Sequence, residues 1–300
     1  MTTAANHRRL TIGECATLAC LWECTAAKPG NVHRGADFDD ATYLDFVLSA
    51  QAIGPIFARS HELRVGELVL AAVDATQRFV RHNTNLGMLL LLAPLARVAL
   101  HDPLRTGVAG VLNSLTTNDS LDVYEAIRRA RPGGLGKVAD GDVQSTAAPP
   151  ELLDAMGMAA DRDRIAKQFV TGFADVFDLV VPWLSEGVDR GWALQTTIIH
   201  AHVRLLAALP DTLIARKCGI ESAEQASAIA ARVLEAGEPG DESYEHALGS
   251  LDFWLRADGH RRNPGTTADL IAAGLFCLLR DEKLQQPVRF YEHEAGNSYG

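Results

Sequence analysis

From Leu86 to Ala96 the chain is apolar almost without interruption, and no other stretch narrows its fold as much. The run is about half of the ~20 residues that span a bilayer, and it contains Pro94. Read as a helix from Leu86 to Leu100, it is apolar nearly all round, so other helices must surround it. The rest of the chain supplies them. Leu10 to Ala27 has helical spacing, with Thr11 as a cap and Lys28-Pro29 as the stop. A second helix carries Tyr43, Phe46, Val47, Ala50 and Ile53 on one side and is capped by Asp39 or Asp40. Others are predicted over 62–80, 104–115, 119–130, 194–208, 222–236, 241–256 and 266–280, with one starting at Pro210-Asp211-Thr212. From Ile165 the spacing Phe169, Phe173, Val176, Phe177, Val180 predicts a single amphipathic helix.

No segment alternates with period two over several strands, and no repeat of 20–50 residues is visible. The reading is therefore all-α. It predicts one compact domain over residues 1–300 with about ten or more helices and a core over roughly 10–280. A split near residue 150 is the alternative.

A net charge of −10 argues against nucleic acid or an anionic membrane surface as partner, and leaves room for a local basic pocket. The five cysteines are dispersed and lack the spacing of a zinc site. They read as small buried residues of a reducing cytosol, and the N-terminus shows no signal peptide. A cytoplasmic protein is expected, and the sequence is compatible with a homo-oligomer.

The polar residues gather in the breaks between helices. Lys28 to Asp40 follows an apolar helix and holds Lys28, Arg34, Asp37, Asp39 and Asp40. An anionic ligand would use the cations, and a metal or a developing cation the aspartates. Gly133-Gly134-Leu135-Gly136-Lys137 looks like a phosphate loop but lacks the glycine and the Ser/Thr of a Walker A motif; its backbone and Lys137 can still approach phosphate. Asn263 to Leu270 opens a helix on which Thr266 is a natural cap, with Asp269 three residues on as in a capping box. The free N–H groups at such an end also suit an anion. HExxH and GxSxG are absent.

Five segments occur in the order found in the triphosphoribosyl-dephospho-CoA synthase family. They are Lys28-Pro29-Gly30-Asn31-Val32, Asn83-Thr84-Asn85-Leu86-Gly87, Pro132-Gly133-Gly134-Leu135-Gly136, Asp211-Thr212 and Asn263 to Leu270. The chain resembles that family over roughly residues 10–280. Where citrate- and malonate-lyase members tend to have Asn-Thr-His-Lys-Gly, this chain has Asn83-Thr84-Asn85-Leu86-Gly87. Asp211 to Lys217 resembles instead a branch of archaea and one-carbon-metabolising bacteria. The resemblance implies an all-α transferase that moves the triphosphoribosyl group of ATP to the 2′-hydroxyl of 3′-dephospho-CoA and releases adenine. The product is the precursor of a lyase prosthetic group. The alternatives are transfer to a pterin-type cofactor precursor, an ATP-binding assembly protein without transfer chemistry, and a helical scaffold.

That reaction builds positive charge at the anomeric carbon, which a carboxylate stabilises, and a second carboxylate can take the acceptor's proton. The candidates are Asp37, Asp39, Asp211 and Asp269. Mg²⁺ would sit on Asp37, Asp39 or Asp269. The triphosphate would be held by Mg²⁺ with Lys28, Arg34, Lys137, Arg216 and Lys217, beside Gly134 and Thr266. Asn31, Asn83 and Asn85 would fix the ribose hydroxyls or the base.

Overall fold

The structure, a computed structural model, describes residues 8–131, 151–284 and 286–292. Fourteen α-helices make up its frame, and the only strand among the described residues is the four-residue Ala257–His260. Helix starts follow local side-chain chemistry. Helix α1 (Ile12–Thr25) opens on a reciprocal cap: the Glu14 N–H donates to Thr11 Oγ1 at 3.2 Å, and the Thr11 N–H to Glu14 Oε2 at 2.8 Å. Helix α2 (Tyr43–Phe57) starts in the same way from Thr42 and Asp45, whose Oδ2 accepts the Thr42 N–H at 2.8 Å. The expected cap at Asp39 or Asp40 is thus corrected, because Thr42 lies next to the first turn and has an acidic partner three residues on. Gly13 and Gly54 let α1 and α2 cross closely; a Cβ on Gly13 would lie 2.3 Å from the Gly54 carbonyl oxygen. Helices α3 (Val65–Gln77) and α6 (Thr117–Ala130) pack in the same manner at Gly66, whose N–H donates to Asp119 Oδ1 at 2.8 Å.

Two helices occupy the centre. Helix α4 (Leu86–Arg97) keeps Leu89, Leu91, Leu92 and Leu95 fully buried, as its apolar circumference requires. Helix α14 (Gly265–Arg280) packs against it and is buried along almost its whole length. Around them lie α1, α5 (Leu104–Asn113), α7 (Leu152–Ala159), α8 (Arg164–Thr171) and α9 (Val181–Asp189). The single helix expected from Ile165 is broken. Gly172 and Phe173 take positive φ of 64° and 65°, and a π-turn over Val176–Val180 leads into α9. Gln168 holds the break from both sides: its Nε2 donates to Asp175 Oδ2 at 2.6 Å, and its Oε1 accepts the Asp175 N–H at 3.1 Å. Buried Phe173 thereby reaches the core at the expense of a regular turn.

A smaller apolar cluster joins α10 (Leu194–Ala208), α11 (Thr212–Cys218), α12 (Ile220–Glu235) and α13 (Glu242–Arg256) through Leu206, Ile214, Ala230, Tyr244 and Leu251. Helix α10 belongs to both clusters, with Ile198 and Leu205 facing the main core. No single described helix is long and apolar enough to cross a membrane.

Asp211 fixes α11 to α14. Its Oδ1 accepts the N–H groups of Leu213 and Ile214 at 2.8 and 3.0 Å, and its Oδ2 accepts the N–H and hydroxyl of Thr267 at 2.8 Å each. Removing that carboxylate strands buried donors on two helix starts, each at about 1–3 kcal/mol. Asp211→Ala is therefore expected to lower unfolding free energy in urea by about 3 kcal/mol. A loss below about 1 kcal/mol would show that water or a rearranged loop replaces it.

Candidate active site

The N-terminal ends of α4, α8 and α14 converge with the last turns of α1 on a cavity of about 250 Å³. Helix starts carry partial positive charge and unpaired N–H groups, so such a convergence attracts anions. Here part of that demand is met by a protein carboxylate. Asp269, one turn into α14, is half-buried in the cavity wall against the start of α4, where the Met88 N–H stabilises its charge. Gly87 makes this approach feasible: a Cβ there would lie 1.9 Å from Asp269 Oδ2.

Burial pushes the Asp269 carboxyl well above the usual carboxylate range, and the nearby carboxylates of Glu23, Asp211 and Asp163 push it further. Crowded negative charge of this kind calls for a cation. Glu23, from the last turn and a half of α1, lines the same cavity; burial raises its carboxyl, and Lys28 opposes the shift. Asp163 also lines it while capping α8, with the Ile165 N–H donating to Oδ1 at 2.8 Å. Its other oxygen lies 3.4 Å from Arg216 Nη1. Arg216 and Lys217, both on α11, bring two cations to the wall; burial and Arg216 lower the Lys217 ammonium. Cys24 offers no nucleophile, since burial and then Glu23 push its thiol up to about 12.

Amide side chains complete the lining. Asn31 Nδ2 donates to Asn263 Oδ1 at 2.5 Å, while Asn31 Oδ1 is buried without a partner. Asn83 Oδ1 accepts the Leu86 N–H at 3.0 Å at the start of α4, and Asn85 Nδ2 reaches Thr76 Oγ1 at 3.3 Å. The loop bearing Asn31 is clamped to α13. The Gly30 N–H donates to Asp252 Oδ1 at 2.8 Å, and Arg256 donates to the Asn31 carbonyl. Gly30 is required there, with φ 73° and a would-be Cβ 2.8 Å from Leu255.

Seven of the residues expected from sequence therefore share this cavity: Asn31, Asn83, Asn85, Arg216, Lys217, Thr266 and Asp269. Thr266 does not cap α14 as expected. Pro264 holds the cap position, and Thr266 Oγ1 accepts the Thr212 hydroxyl at 3.1 Å. The capping box with Asp269 is likewise corrected, since that side chain serves α4 instead.

Other expected residues are not brought to the wall. Lys28 is fully buried, with its Nζ 2.8 Å from Glu23 Oε1 and donating also to the carbonyls of Glu23 and Ala26. Its three donors are thus spent inside the protein. Arg34 is exposed and stacks over the Tyr291 ring at 5.1 Å. Exposed Asp37 accepts the Tyr43 N–H at 2.6 Å, and Asp39 is exposed. Asp40, also exposed, lies 3.4 Å from His260. Asp211 stands behind the wall with both oxygens committed to α11 and α14. Gly134 and Lys137 lie outside the described residues. The residues that sequence reasoning missed are Glu23 and Asp163, and Asn263, although part of a quoted segment, was given no role. Glu23 had one sequence signal, an acid among Ala19, Cys20 and Cys24 on the side of α1 that faces the core.

The family described as ATP:dephospho-CoA triphosphoribosyl transferase matches residues 9–288. A crystal structure provisionally assigned as a triphosphoribosyl-dephospho-CoA synthase, from Archaeoglobus fulgidus, superposes with a TM-score of 0.62 at 27% identity. The match covers 78% of this chain and 97% of that one. A protein of Malonomonas rubra, described as a probable 2-(5″-triphosphoribosyl)-3′-dephosphocoenzyme-A synthase, is 28% identical over 120 residues. That match takes in 38% of this chain and spans only 36% of the length of the relative. With the family matched along nearly its whole length, this chain is a member of the ATP:dephospho-CoA triphosphoribosyl transferase family.

Proposed function

We propose that the protein transfers the triphosphoribosyl group of ATP to the 2′-hydroxyl of 3′-dephospho-CoA, with adenine as leaving group. One observation carries this reading beyond family membership. A half-buried carboxylate, Asp269, faces a cavity that also offers two cations and a set of amides. Anionic substrate, ribose hydroxyls and a developing cation each find matching chemistry there. In the reaction the C1′–N9 bond breaks and its electron pair leaves with adenine. The acceptor oxygen bonds to C1′, and the proton of that hydroxyl ends on adenine. Positive charge grows on the ribosyl group between these events, and Asp269 stabilises it. Arg216 and Lys217 hold the triphosphate, and Asn31, Asn83 and Asn85 hold ribose and base.

Mg²⁺ accompanies the triphosphate in this reading. Among the described residues no three metal-ligating side chains gather into a protein-built metal site. Mg²⁺ on a nucleotide needs only one or two carboxylates and keeps several waters, which Asp163, beside Arg216 on the same wall, would fit while Asp269 faces the ribose. The ion would supply charge neutralisation at the phosphates. A cytoplasmic location, where ATP is at hand, belongs to the same proposal.

Chromatography after incubation with ATP, Mg²⁺ and dephospho-CoA should show adenine accumulating together with an acceptor enlarged by the triphosphoribosyl mass. ADP or AMP in place of adenine would overturn the reading. Asp269→Asn should lower adenine release about 100-fold or more while the thermal midpoint hardly moves, because shape is kept and only charge is lost. Near-normal turnover in that variant would return Asp269 to a purely structural role. Joint replacement of Arg216 and Lys217 by Ala should raise the KM for ATP about tenfold or more with a smaller change in kcat. An unchanged KM would remove both from the phosphate site.

A further inference from the structure

Glu23 is a buried carboxylate that the fold nonetheless sets on the cavity wall. It is only 3% exposed on a helix whose neighbouring residues are apolar, a costly place for an acid. Lys28, which has no exposure at all, answers that cost from one side only, with Nζ 2.8 Å from Oε1. The other two ammonium hydrogens are turned to the Glu23 and Ala26 carbonyls, so the cation is anchored and has nothing left for a ligand. Among the described residues none donates to Glu23 Oε2, yet the side chain lines the cavity. A buried ion pair kept only for stability would have both oxygens satisfied, since apolar residues of the same size serve a core at least as well.

We infer that Glu23 is a catalytic residue of this cavity, the base that takes the proton of the acceptor hydroxyl, and that Lys28 is its positioning residue. The inference rests on the transfer reaction proposed above. As the acceptor oxygen bonds to C1′, its O–H electron pair stays on oxygen and the proton passes to Oε2. It leaves that oxygen for the departing adenine, so the carboxylate is regenerated and no further reactant is consumed. Asp269, set against the start of α4, remains free to face the ribosyl cation. Two carboxylates in one cavity thus divide two tasks that a single one could not perform together.

The test compares the wild type with Glu23→Gln, Lys28→Met and the double variant Glu23→Gln/Lys28→Met. The double variant replaces the ion pair with an uncharged pair of similar volume and preserves the fold even where a single variant unfolds. It should keep wild-type helicity by circular dichroism and bind MgATP within about threefold of wild type, yet release adenine about 100-fold more slowly. Lys28→Met, where it folds, should lower kcat and leave the KM for ATP nearly unchanged, because the cation is spent on Glu23 and the Ala26 carbonyl and has no donor left for the nucleotide. A folded double variant with more than about a tenth of wild-type turnover would overturn the inference and make the pair structural. A wild type that binds MgATP but releases no adenine with dephospho-CoA would overturn the transfer reading itself, and the role of Glu23 with it.

Discussion

Asp269 stands where a side chain of residue 87 would otherwise be, and the architecture of the site follows from that contact. Helices α4 and α14 are the two most buried helices, and their N-terminal ends meet at the cavity. A carboxylate pressed against a helix start is stabilised by unpaired N–H groups and by the helix dipole. Only a glycine at position 87 lets it come so close. Because the same carboxylate is crowded by Glu23, Asp211 and Asp163, its charge is disfavoured until a cation comes near. Such a site is prepared for a substrate that carries, or develops, positive charge on one part and negative charge on another.

The remaining contacts preserve that arrangement. Asp211 ties the start of α14 to α11, which carries Arg216 and Lys217, so the cations and Asp269 are set by one buried carboxylate. Asp252 and Arg256 of α13 hold the loop that delivers Asn31. The smaller apolar cluster around α12 and α13 therefore acts as a platform for the polar wall, in addition to its share of hydrophobic stabilisation.

Sequence patterns revealed those parts of the molecule where a local rule was strong. The central place of α4 followed from its apolar circumference, and the limits Leu194–Ala208 of α10 from helical spacing. The fourteenth helix was visible as a helix, but its buried position was not, because small residues such as Ala272, Ala273 and Gly274 do not announce a core. Helix α7 escaped because eight residues after Pro149-Pro150 give too short a period to read. The break at Gly172 and Phe173 depends on the Gln168–Asp175 bridge, a tertiary choice within an otherwise continuous pattern. At the site, Asn31, Asn83 and Asn85 stood out as polar residues in helix breaks, and Asp269 through the Asn263 to Leu270 segment that carries the family resemblance. Lys28 was legible as a charge but not by direction, since its partner Glu23 lies one turn back inside an apolar helix. The exposed aspartates at 37 and 39 look the same as Asp269 in sequence; only burial separates them.

The central claim is that nucleotide chemistry takes place between the starts of α4 and α14. A crystal structure of the protein with Mg²⁺ and a slowly reacting ATP analogue tests it most directly. The ribose is expected beside Asp269, the triphosphate toward Arg216 and Lys217, and the amides of Asn31 and Asn263 in contact with the nucleotide. Nucleotide bound instead over the exposed loop of Arg34, Asp37 and Asp39, with the cavity vacant, would contradict it.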